Sequence, residues 1–434
     1  MADPRQTLYC VICCIAAGVP AGWGQVQGTT TERLPPSFST TTDLVPVTVV
    51  VRNRDGNAVG RLEKTDFELR DNGKTQTILQ FSVNKSAPII PSEAAVSTDP
   101  LGNEHAVLRL PAVGPVVEIP QRFIAYVFDD VHTDIADLIR ARAEAAKHME
   151  RVLEATRVGV FTVSGRMRLD FTRDFEQVRK TIESIRHGNT DDGFADCPPL
   201  NYFWADLILK NDSEAIGAAI LETIACRGGT LSRATAEGMV RASAIYQAAR
   251  GQHESGMGLN TLDDIVRRLS DMPGSRSIVY VSSGFLVDKD LRFTQNRVFE
   301  NAIRANVVIN SLDARGLYAV TPGGRADNFA KTPSSQAVIN FRERMNREVP
   351  LAISNVMAEF ASATGGKFIW NSNDYQAGYE ELAGAPENTY VLWFSPGVKS
   401  DGKYHKLRVT LKNSKGLKVS ARTGYYAPNP EVTR

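Results

Sequence analysis

The sequence predicts an α/β fold, in which a doubly wound, mostly parallel sheet is flanked by antiparallel β segments at both ends of the chain. Residues 123–128 form a nearly continuous apolar run, which is typical of a strand buried on both faces. From residue 121 to about 385, strand-like and helical patterns alternate, as they do in parallel sheets. Before residue 85 and after residue 385, short β-branched stretches separated by Gly-containing turns indicate antiparallel strands.

Length and charge restrict the possible classes of function. The chain has 434 residues, of which 42% are hydrophobic, and this predicts two or three folded domains. Its 50 Lys and Arg residues are balanced by 49 Asp and Glu residues. Binding to nucleic acid or to an anionic membrane depends on clustered positive charge, so we expect neither.

Residues 1–24 have the pattern of a secretory signal peptide. Arg5 precedes the apolar run Leu8–Val19, and small residues follow from Ala21. The run is shorter than the ~20 residues of a spanning helix, although a buried N-terminal helix is an alternative. We therefore expect a secreted, periplasmic or cell-envelope protein with no transmembrane span after signal removal. Residues 25–43, rich in Thr, Ser and Pro, are predicted to be a flexible lead-in.

Residues 44–84 predict a small antiparallel β module. Val45–Val51 is β-branched, and the Asp55-Gly and Asn72-Gly pairs are turn signals. Residues 85–120 predict a linker. Residues 386–428 contain three more strands, which are too few to fold alone. We expect this C-terminal segment to pack with the N-terminal module, so that the α/β domain is inserted between two halves of a β unit.

The α/β domain is predicted to span residues 121–385. An antiparallel hairpin follows its first helix and adds an edge strand, and an insertion at about residues 188–258 interrupts the alternation. The predicted strands are Phe123–Phe128, Arg157–Val163, Met167–Phe171, Ser277–Val281, Asn306–Asn310 and Lys367–Trp370.

The insertion contains the two cysteines that remain after loss of the signal peptide, Cys197 and Cys226. A free thiol is a liability in an oxidising compartment, so we predict that the two form a disulfide. Tyr202 and Trp204 lie in a short aromatic run beside Cys197, and such residues are typical of a partner-binding surface. The alternative is that these aromatics cover the α/β core.

The segment after the first predicted strand carries the candidate site, because ligands of open α/β sheets bind beyond the carboxyl ends of the strands. Asp129, Asp130 and Asp134 lie within six residues, with His132 and Thr133 between them. Their oxygens could bind Mg²⁺ or Ca²⁺. Asp129 and Asp130 could also cap the next helix, whose N-terminal end favours acidic residues.

Several separate blocks resemble one family. They are Phe128–Thr133, Val266–Arg276, Val281–Phe285, Ser311–Leu317 and Ala421–Tyr426. In this order, and over residues 40–427, the chain is similar to the exported von Willebrand factor A-related proteins of the Acidobacteria type. The resemblance implies a von Willebrand factor A-like, Rossmann-like α/β fold with a metal-ion-dependent adhesion site.

The resemblance assigns this site a first-loop Asp with two hydroxyl residues, a second-loop Thr and a third-loop Asp. Asp129, Thr133 and Thr230 match members of the set, whereas Val131 replaces one hydroxyl and Ser283 replaces the last Asp. Fewer charges and oxygens imply weaker binding of a hard cation. Two hypotheses stay open, which are a weak Mg²⁺ or Ca²⁺ site that Asp130 or Asp134 helps to complete, and a degenerate loop that contacts partners without metal. His132 and Asp134 would belong to the partner-binding surface.

Motifs for catalysis are missing from the sequence. None of the six His residues belongs to a recognisable zinc pair, and neither a Gly-x-Ser-x-Gly elbow nor a phosphate-binding Gly-x-x-x-x-Gly-Lys loop completed by Ser or Thr occurs. We therefore do not expect an enzyme; an unrecognised hydrolase using Asp129, Asp130 and His132 is an alternative. The sequence predicts an exported, non-catalytic binding or adhesion module for a protein or extracellular-matrix ligand. A structural component of a cell-envelope assembly is a further alternative.

Overall fold

The computed structural model describes residues 44–54, 58–85, 97–98, 104–105, 122–152, 156–188, 197–317, 335–384, 388–396 and 403–427. All of them belong to one compact unit, Asp43–Arg434. The predicted signal peptide, the lead-in and most of the predicted linker lie outside the described residues. In the described part of the chain, no helix combines the length and apolar character needed to cross a membrane.

Among the described residues, the strands form three larger sheets and one two-stranded pair. The strands are β1 (Val45–Arg52), β2 (Phe67–Asp71), β3 (Lys74–Gln76), β4 (Ile78–Lys85), β5 (Ser97–Thr98), β6 (Glu104–His105), β7 (Arg122–Phe128), β8 (Thr156–Thr162), β9 (Arg168–Thr172), β10 (Ser275–Ser282), β11 (Val307–Asp313), β12 (Phe368–Ile369), β13 (Asn388–Phe394), β14 (Tyr404–Leu411), β15 (Lys418–Ala421) and β16 (Gly424–Tyr426). The α-helices are α1 (Ile135–His148), α2 (Phe175–Ser184), α3 (Tyr202–Leu209), α4 (Ser213–Cys226), α5 (Arg233–Ser270), α6 (Arg292–Arg304), α7 (Gln336–Thr364) and α8 (Tyr375–Ala383).

The central sheet has six strands in the order β12-β11-β10-β7-β8-β9. The pairs from β12 to β8 are parallel, and β9 returns antiparallel to β8 as the edge strand. The predicted mixed α/β fold with a mostly parallel sheet is confirmed. Strand β7 lies inside the sheet, and its residues 123–128 are at most 3% exposed, as expected for a strand covered on both faces.

Helices cover both faces of this sheet. On one face, α1, α2 and α8 pack against side chains such as Ile124 and Val279. On the other face, the C-terminal halves of α5 and α7 pack with α6 against neighbours such as Ala125 and Ile278. Alternate strand residues therefore enter two separate cores, as the pleat requires.

Helices α5 and α7 extend well beyond the sheet. Each leads into a parallel strand, α5 into β10 and α7 into β12, so their last turns lie near the amino ends of the strands. Their N-terminal halves must therefore project past the carboxyl edge of the sheet. There they share a third core with α3 and α4, which includes Trp204, Ala219, Val240 and Phe341. A four-helix bundle thus stands at the carboxyl edge.

The bundle differs from the predicted insertion in its extent. The insertion was expected to end near residue 258, but α5 runs without a break from Arg233 to Ser270. Helix α7 also begins at Gln336 and continues through Pro350, although Pro in a helix interior normally indicates a helix end. Arg315 donates to the carbonyl oxygen of Pro350 at 3.3 Å, so a side chain from the sheet edge supports the helix at this position.

The N- and C-terminal strands form one β-sandwich. One of its sheets has the order β15-β1-β13-β4 and the other β16-β14-β2-β3. Strand β1 pairs with both β13 and β15, and β2 pairs with β14. Side chains from both sheets, including Val47, Leu69, Tyr390 and Leu407, share a single core. The expected pairing of the two ends of the chain is present.

Candidate functional site

Asp129 lies directly after β7, at the carboxyl edge of the central sheet. Its backbone N–H donates to the carbonyl oxygen of Val281 in β10 at 2.8 Å, and its side chain is completely buried. The parallel register pairs Phe128 with Val281. This register brings the residues that follow, Asp129 and Ser282, side by side.

Donors from its own chain occupy both carboxylate oxygens of Asp129. Oδ1 accepts from the backbone N–H groups of Val131 at 3.2 Å and His132 at 3.0 Å. Oδ2 accepts from the hydroxyls of Tyr280 at 2.9 Å and Ser282 at 2.6 Å. The Nδ1 atom of His132 lies within 3.0 Å of Oδ1 and 2.9 Å of Oδ2. The carboxylate is therefore saturated with hydrogen-bond donors of the same chain.

The electrostatics of Asp129 and His132 favour an ion pair. Burial would raise the pKa of Asp129, but the charge and hydrogen bonds of His132 and the hydroxyl of Ser282 outweigh it and lower this pKa to about 2. Burial would lower the pKa of His132, but the adjacent Asp129 carboxylate raises it above its usual value, with a smaller contribution from Glu254 of α5. Imidazolium and carboxylate thus stabilise each other in a buried place.

The other face of His132 is enclosed by the loop after β10. Its ring stacks on Phe285 with 5.0 Å between centroids. Its Nε2 atom is buried and has no hydrogen-bond partner within the described part of the chain. Thr133 accepts a hydrogen bond at Oγ1 from the backbone N–H of Ser283 at 3.2 Å. This bond holds the loop after β7 against the loop after β10.

Asp130 turns away from Asp129 toward the β8–β9 connection. It accepts from the backbone N–H of Ser164 at 2.9 Å and from the hydroxyl of the same residue. Burial raises the pKa of Asp130 above its ordinary value, although the bonds from Ser164 oppose this effect. The backbone of Gly188 also lies against the Asp130 carboxylate, where a Cβ would come within 2.9 Å of Oδ2. Asp130 is therefore a structural acceptor between loops.

The residues present do not fit a divalent cation. A metal at Asp129 would have to displace the imidazolium of His132 and the hydroxyl of Ser282 from oxygens that they already occupy. Among the described residues, no cluster of three or more His, Cys, Asp or Glu side chains is arranged to hold a metal ion. The geometry therefore argues against the predicted ligand set of Asp129, Asp130, Thr133, Thr230 and Ser283.

Thr230 was wrongly placed at this site. It is exposed in the loop between α4 and α5, at the far end of the helical bundle. Gly258 of α5 packs near Phe285 beside the site, and about 25 helical residues separate it from Arg233. At 1.5 Å per residue that is about 37 Å. Asp134 is exposed and precedes α1 as its N-cap residue, away from the buried network.

The aromatic run of the insertion faces inward. Trp204 is only 5% exposed, donates from Nε1 to the carbonyl oxygen of Ala215 at 3.0 Å, and packs on Phe341. The prediction that Trp204 binds a partner is therefore wrong, because its indole fills the bundle core. Tyr202 is half-buried and donates to Asp288 Oδ2 at 3.0 Å. Its ring covers Gly251, where a Cβ would meet it at 2.3 Å.

Cys197 and Cys226 are joined by a disulfide, with 6.3 Å between their Cα atoms. The bridge ties the segment before α3 to the C-terminal end of α4. Closing a loop of this size typically contributes about 2–4 kcal/mol, mainly by restricting the unfolded chain. It therefore reinforces the bundle.

Tyr280 and Ser282 were not predicted as site residues. Both lie on β10, 151 and 153 residues beyond Asp129 in the sequence. Their spacing of two along a strand is the available signal, since it places both side chains on the same face. The register of β10 against β7 was needed to direct them at Asp129, and the sequence does not provide it.

Among the large apolar side chains that the carboxyl edge exposes, we call three the apolar edge surface: Ile135, Leu317 and Trp370. They are 59%, 61% and 56% exposed and follow β7, β11 and β12 respectively. The backbone N–H of Leu317 donates to Asn373 Oδ1 at 2.7 Å. This bond holds the loops after β11 and β12 together.

Comparisons with known proteins give limited information. No protein-family model matches the chain, and no curated protein matches it. Among solved structures, the chain is similar to the TFIIH p34 N-terminal domain, with 11% identity, a TM-score of 0.23 and coverage of 61% of this chain and 97% of that one. It is also similar to the human COPII-coat protein Sec24c, with 10% identity, a TM-score of 0.23 and coverage of 71% and 44%. Likenesses at these TM-scores carry no argument about function.

Proposed function

We propose that this chain is an exported, non-catalytic protein-binding module on a von Willebrand factor A-type scaffold, and that it binds its partner without metal. The scaffold is supported by a central strand that ends at Asp129, by the antiparallel β8–β9 hairpin, and by a strand that ends in Ser282-Ser283-Gly284. These are the features on which the sequence resemblance rests. Export is supported by the apolar run Leu8–Val19.

The observation that carries the metal-independent mode is the saturated carboxylate of Asp129. Five groups of the same chain donate to it or pair with it, so the loop is stable without a cation. The binding energy must then come from the side chains that the edge exposes. Ile135, Leu317 and Trp370 supply apolar area there, and exposed apolar groups are typical of protein contacts.

The position of the apolar edge surface is consistent with this role. The carboxyl edge is where α/β sheets bind ligands. On the β10 side, the edge is covered by α7, because Gly284 lies directly against the backbone of Ile353. Ile135, Leu317 and Trp370 follow other strands of the sheet. Fixed loops reduce the entropy that is lost on binding, which favours affinity for a given contact area.

The test is retention of an envelope protein by the immobilised mature chain, with and without EDTA. We expect a protein to be retained equally in both conditions, and to be lost when Leu317→Ser and Trp370→Ala are combined. Tyr246→Ala, at an exposed aromatic residue of α5, is the matched control and should retain the protein. Loss of binding in EDTA, or undiminished retention by the double variant, would refute the proposal.

A permanent envelope assembly would differ from a reversible contact in purification. A structural component should elute with its partner without crosslinking, whereas a recognition module should elute alone. The choice between them does not change the role of the apolar edge surface.

A hydrolase is the second candidate, because one observation favours it. Asp129 orients His132 through Nδ1, and the Nε2 atom on the other side of the ring has no partner among the described residues, as in an acid–base pair. The Oγ atom of Ser283 is also buried without a partner in the described part of the chain. Turnover of generic ester, phosphate or peptide substrates that disappears in His132→Gln would establish this candidate over the binding module.

A further inference from the structure

A second polar site lies at the opposite edge of the central sheet. A cavity of about 150 Å³ lies between the amino ends of β7, β10 and β11, helix α8, and the outer face of the β-sandwich sheet that contains β1, β13 and β15. Its charged lining residues are five cations and one carboxylate: Arg52, Arg122, Arg276, Lys367, Arg422 and Glu381. Lys367 pairs with Glu381, which leaves four guanidinium groups around one small space.

Three of these guanidinium groups, those of Arg122, Arg276 and Arg422, are not neutralised by carboxylates among the described residues. The side chain of Arg122 has neither a hydrogen bond nor an ion pair within that part of the chain, whereas its backbone belongs to the central sheet. Burial lowers the pKa of Arg122 to about 10, so the side chain is still charged at neutral pH. Arg276 donates to the carbonyl oxygen of Ser270 at 2.9 Å. Carbonyl oxygens accept hydrogen bonds but do not balance a full charge.

Arg422 connects the two parts of the molecule at this cavity. Its guanidinium donates to the carbonyl oxygen of Ile303 on α6 at 3.1 Å and to that of Pro46 on β1. Burial lowers the pKa of Arg422 to about 10 as well. Its charge is therefore enclosed at the junction between the β-sandwich and the α/β sheet, where an isolated cation is costly.

Unused donors line the same cavity. The Nε atoms of Arg276 and Arg422 are buried and have no partner among the described residues, and the same holds for Oγ of Ser277. Buried donors are nearly always paired in folded proteins, with protein, water or a ligand. An acceptor with several oxygens and a negative charge would satisfy these donors and the cations together.

We propose that this cavity binds a small tetrahedral oxyanion, either free phosphate or the phosphate group of a small ester. The cavity of about 150 Å³ has room for one phosphate group. Guanidinium groups bind phosphate oxygens through paired N–H donors, and several of them suit a dianion better than a monoanion. The bound anion would bridge strand β1 of the sandwich and strands β7 and β10 of the sheet.

Because the anion would bridge the β-sandwich and the central sheet, its binding should change the stability of the intact chain. An anion that binds only the folded state raises its stability in proportion to the logarithm of its concentration. Thermal unfolding of the mature protein should be followed in phosphate, in glycerol phosphate, and in sodium chloride of the same ionic strength. We expect phosphate to raise the Tm by about 2 °C or more at ten times its Kd, and chloride to leave it unchanged.

Substitutions of cavity residues then show whether the phosphate-dependent rise in Tm comes from this site. Arg122→Gln and Arg276→Gln should abolish the phosphate-dependent rise, whereas Arg168→Gln, at an exposed residue of β9, should keep it. Without phosphate, Arg122→Gln should be at least as stable as the wild type, because it removes an uncompensated buried charge. Ser277→Ala, a smaller change, should weaken phosphate binding with the fold retained and provides the measurement if the Arg variants fail to fold.

The outcomes separate the two sources of phosphate. A larger rise with glycerol phosphate than with inorganic phosphate assigns the site to an ester, and the reverse assigns it to the free ion. The proposal is overturned if the wild type shows no rise specific to phosphate, if ³¹P line broadening of phosphate is the same with wild type and Ser277→Ala, or if Arg122→Gln responds fully.

Discussion

At the scale of single residues, the Asp129–His132 pair determines how the stability of the carboxyl edge of the central sheet responds to pH. The pKa of His132 is raised in the folded state because Asp129 stabilises its cation, and the pKa of Asp129 is lowered to about 2. A group with a raised pKa contributes stability that is fully present below its unfolded value of ~6.5 and is lost as the pH rises through its folded value. The carboxylate contribution is lost only in strong acid, between about 3.8 and 2.

We therefore predict that His132→Gln is destabilised more at pH 6 than at pH 9. The free energy of unfolding should be measured in urea from pH 5 to 9 for both chains, and the difference should shrink as the pH rises. Breaking a buried pair typically costs about 3–5 kcal/mol, which sets the scale at the acidic end. His253→Gln, at an exposed residue of α5, is the control substitution. A constant difference for His132→Gln would contradict the ion pair.

His148 gives a residue-scale prediction of the opposite sign. It is 4% exposed at the end of α1, and burial lowers its pKa to about 4. The unfolded chain then binds the proton more tightly, so stability rises with pH between about 4 and 6.5 and is lost on acidification. We predict that His148→Phe removes a pH dependence on the order of 3 kcal/mol in this window. Urea unfolding at pH 4.5 and 7 tests this, and an unchanged slope would contradict it.

The sequence alone could place Asp129 but not describe its environment. A continuous apolar run predicts an internal strand, and a carboxylate that follows it must lie at the ligand-binding edge. Tyr280 and Ser282, which saturate Asp129, come from another strand, and their contact depends on a register that no local pattern encodes. The sequence predicts a carboxylate at this position but not the groups that donate hydrogen bonds to it. The metal hypothesis could therefore be raised from the sequence, but the sequence could not test it.

At the scale of elements, the loop after β10 packs closely against α7 because Gly284 has no side chain. Gly284 has a φ of 85°, and a Cβ there would lie 2.2 Å from the carbonyl oxygen of Ile353. We predict that Gly284→Ala costs about 2–5 kcal/mol, from left-handed strain and overpacking together. Urea unfolding measures the loss.

The matched control for this loop is Gly165→Ala in the β8–β9 turn. Gly165 also has a positive φ, of 71°, but no atom lies within 4 Å of the position that a Cβ would take there. Only the strain of about 1–2 kcal/mol is then expected. Equal losses for the two variants would show that α7 does not approach the loop as closely as described.

Two of the four tryptophans, Trp204 in the helical bundle and Trp370 at the carboxyl edge, give a prediction that distinguishes core from surface. Trp204 fills the bundle core, so Trp204→Ala should cost about 3–5 kcal/mol and leave the carbonyl oxygen of Ala215 without its donor. Trp370 is 56% exposed, and Trp370→Ala should change the stability by less than about 0.5 kcal/mol. Urea unfolding of both variants is the measurement. A neutral Trp204→Ala would restore this residue as a candidate for partner binding.

The extent of the bundle shows where local patterns fail. Pro in a helix interior removes a hydrogen bond and normally indicates a helix end, so a continuous α7 through Pro350 could not be expected from propensity. Tertiary contacts override it, because the N-terminal half of α7 packs against α4, where Arg342 pairs with Glu222. Helix α5 likewise packs into two different cores along its length and gains its stability from both. A single amphipathic period in the sequence cannot show this.

At the scale of the whole molecule, the strand count of the sequence did predict how the chain closes on itself. The three predicted C-terminal strands, which are the four strands β13 to β16 in the described structure, cannot fold alone, and an N-terminal β module with open edges needs partners. The sandwich joins the two, and as a result the α/β domain has both its entry and its exit on the same side. The arginine-lined cavity lies at this junction, which makes it a place where an anion could couple the two halves.

The last prediction follows from that closure. Removing residues 388–434 deprives β1 of both its neighbours, β13 and β15, and deprives β2 of β14. The side chains of Val47 and Val49 would then lose the core that now buries them completely. We predict that the backbone amides of β1 lose their protection from hydrogen exchange in a chain ending at residue 387, whereas those of β7 and β10 keep it. The α/β sheet should persist because its two cores are formed almost entirely by residues 123–383. If the amides of β1 stayed protected in the truncated chain, the N-terminal module would fold alone. Its folding would then not depend on the C-terminal strands.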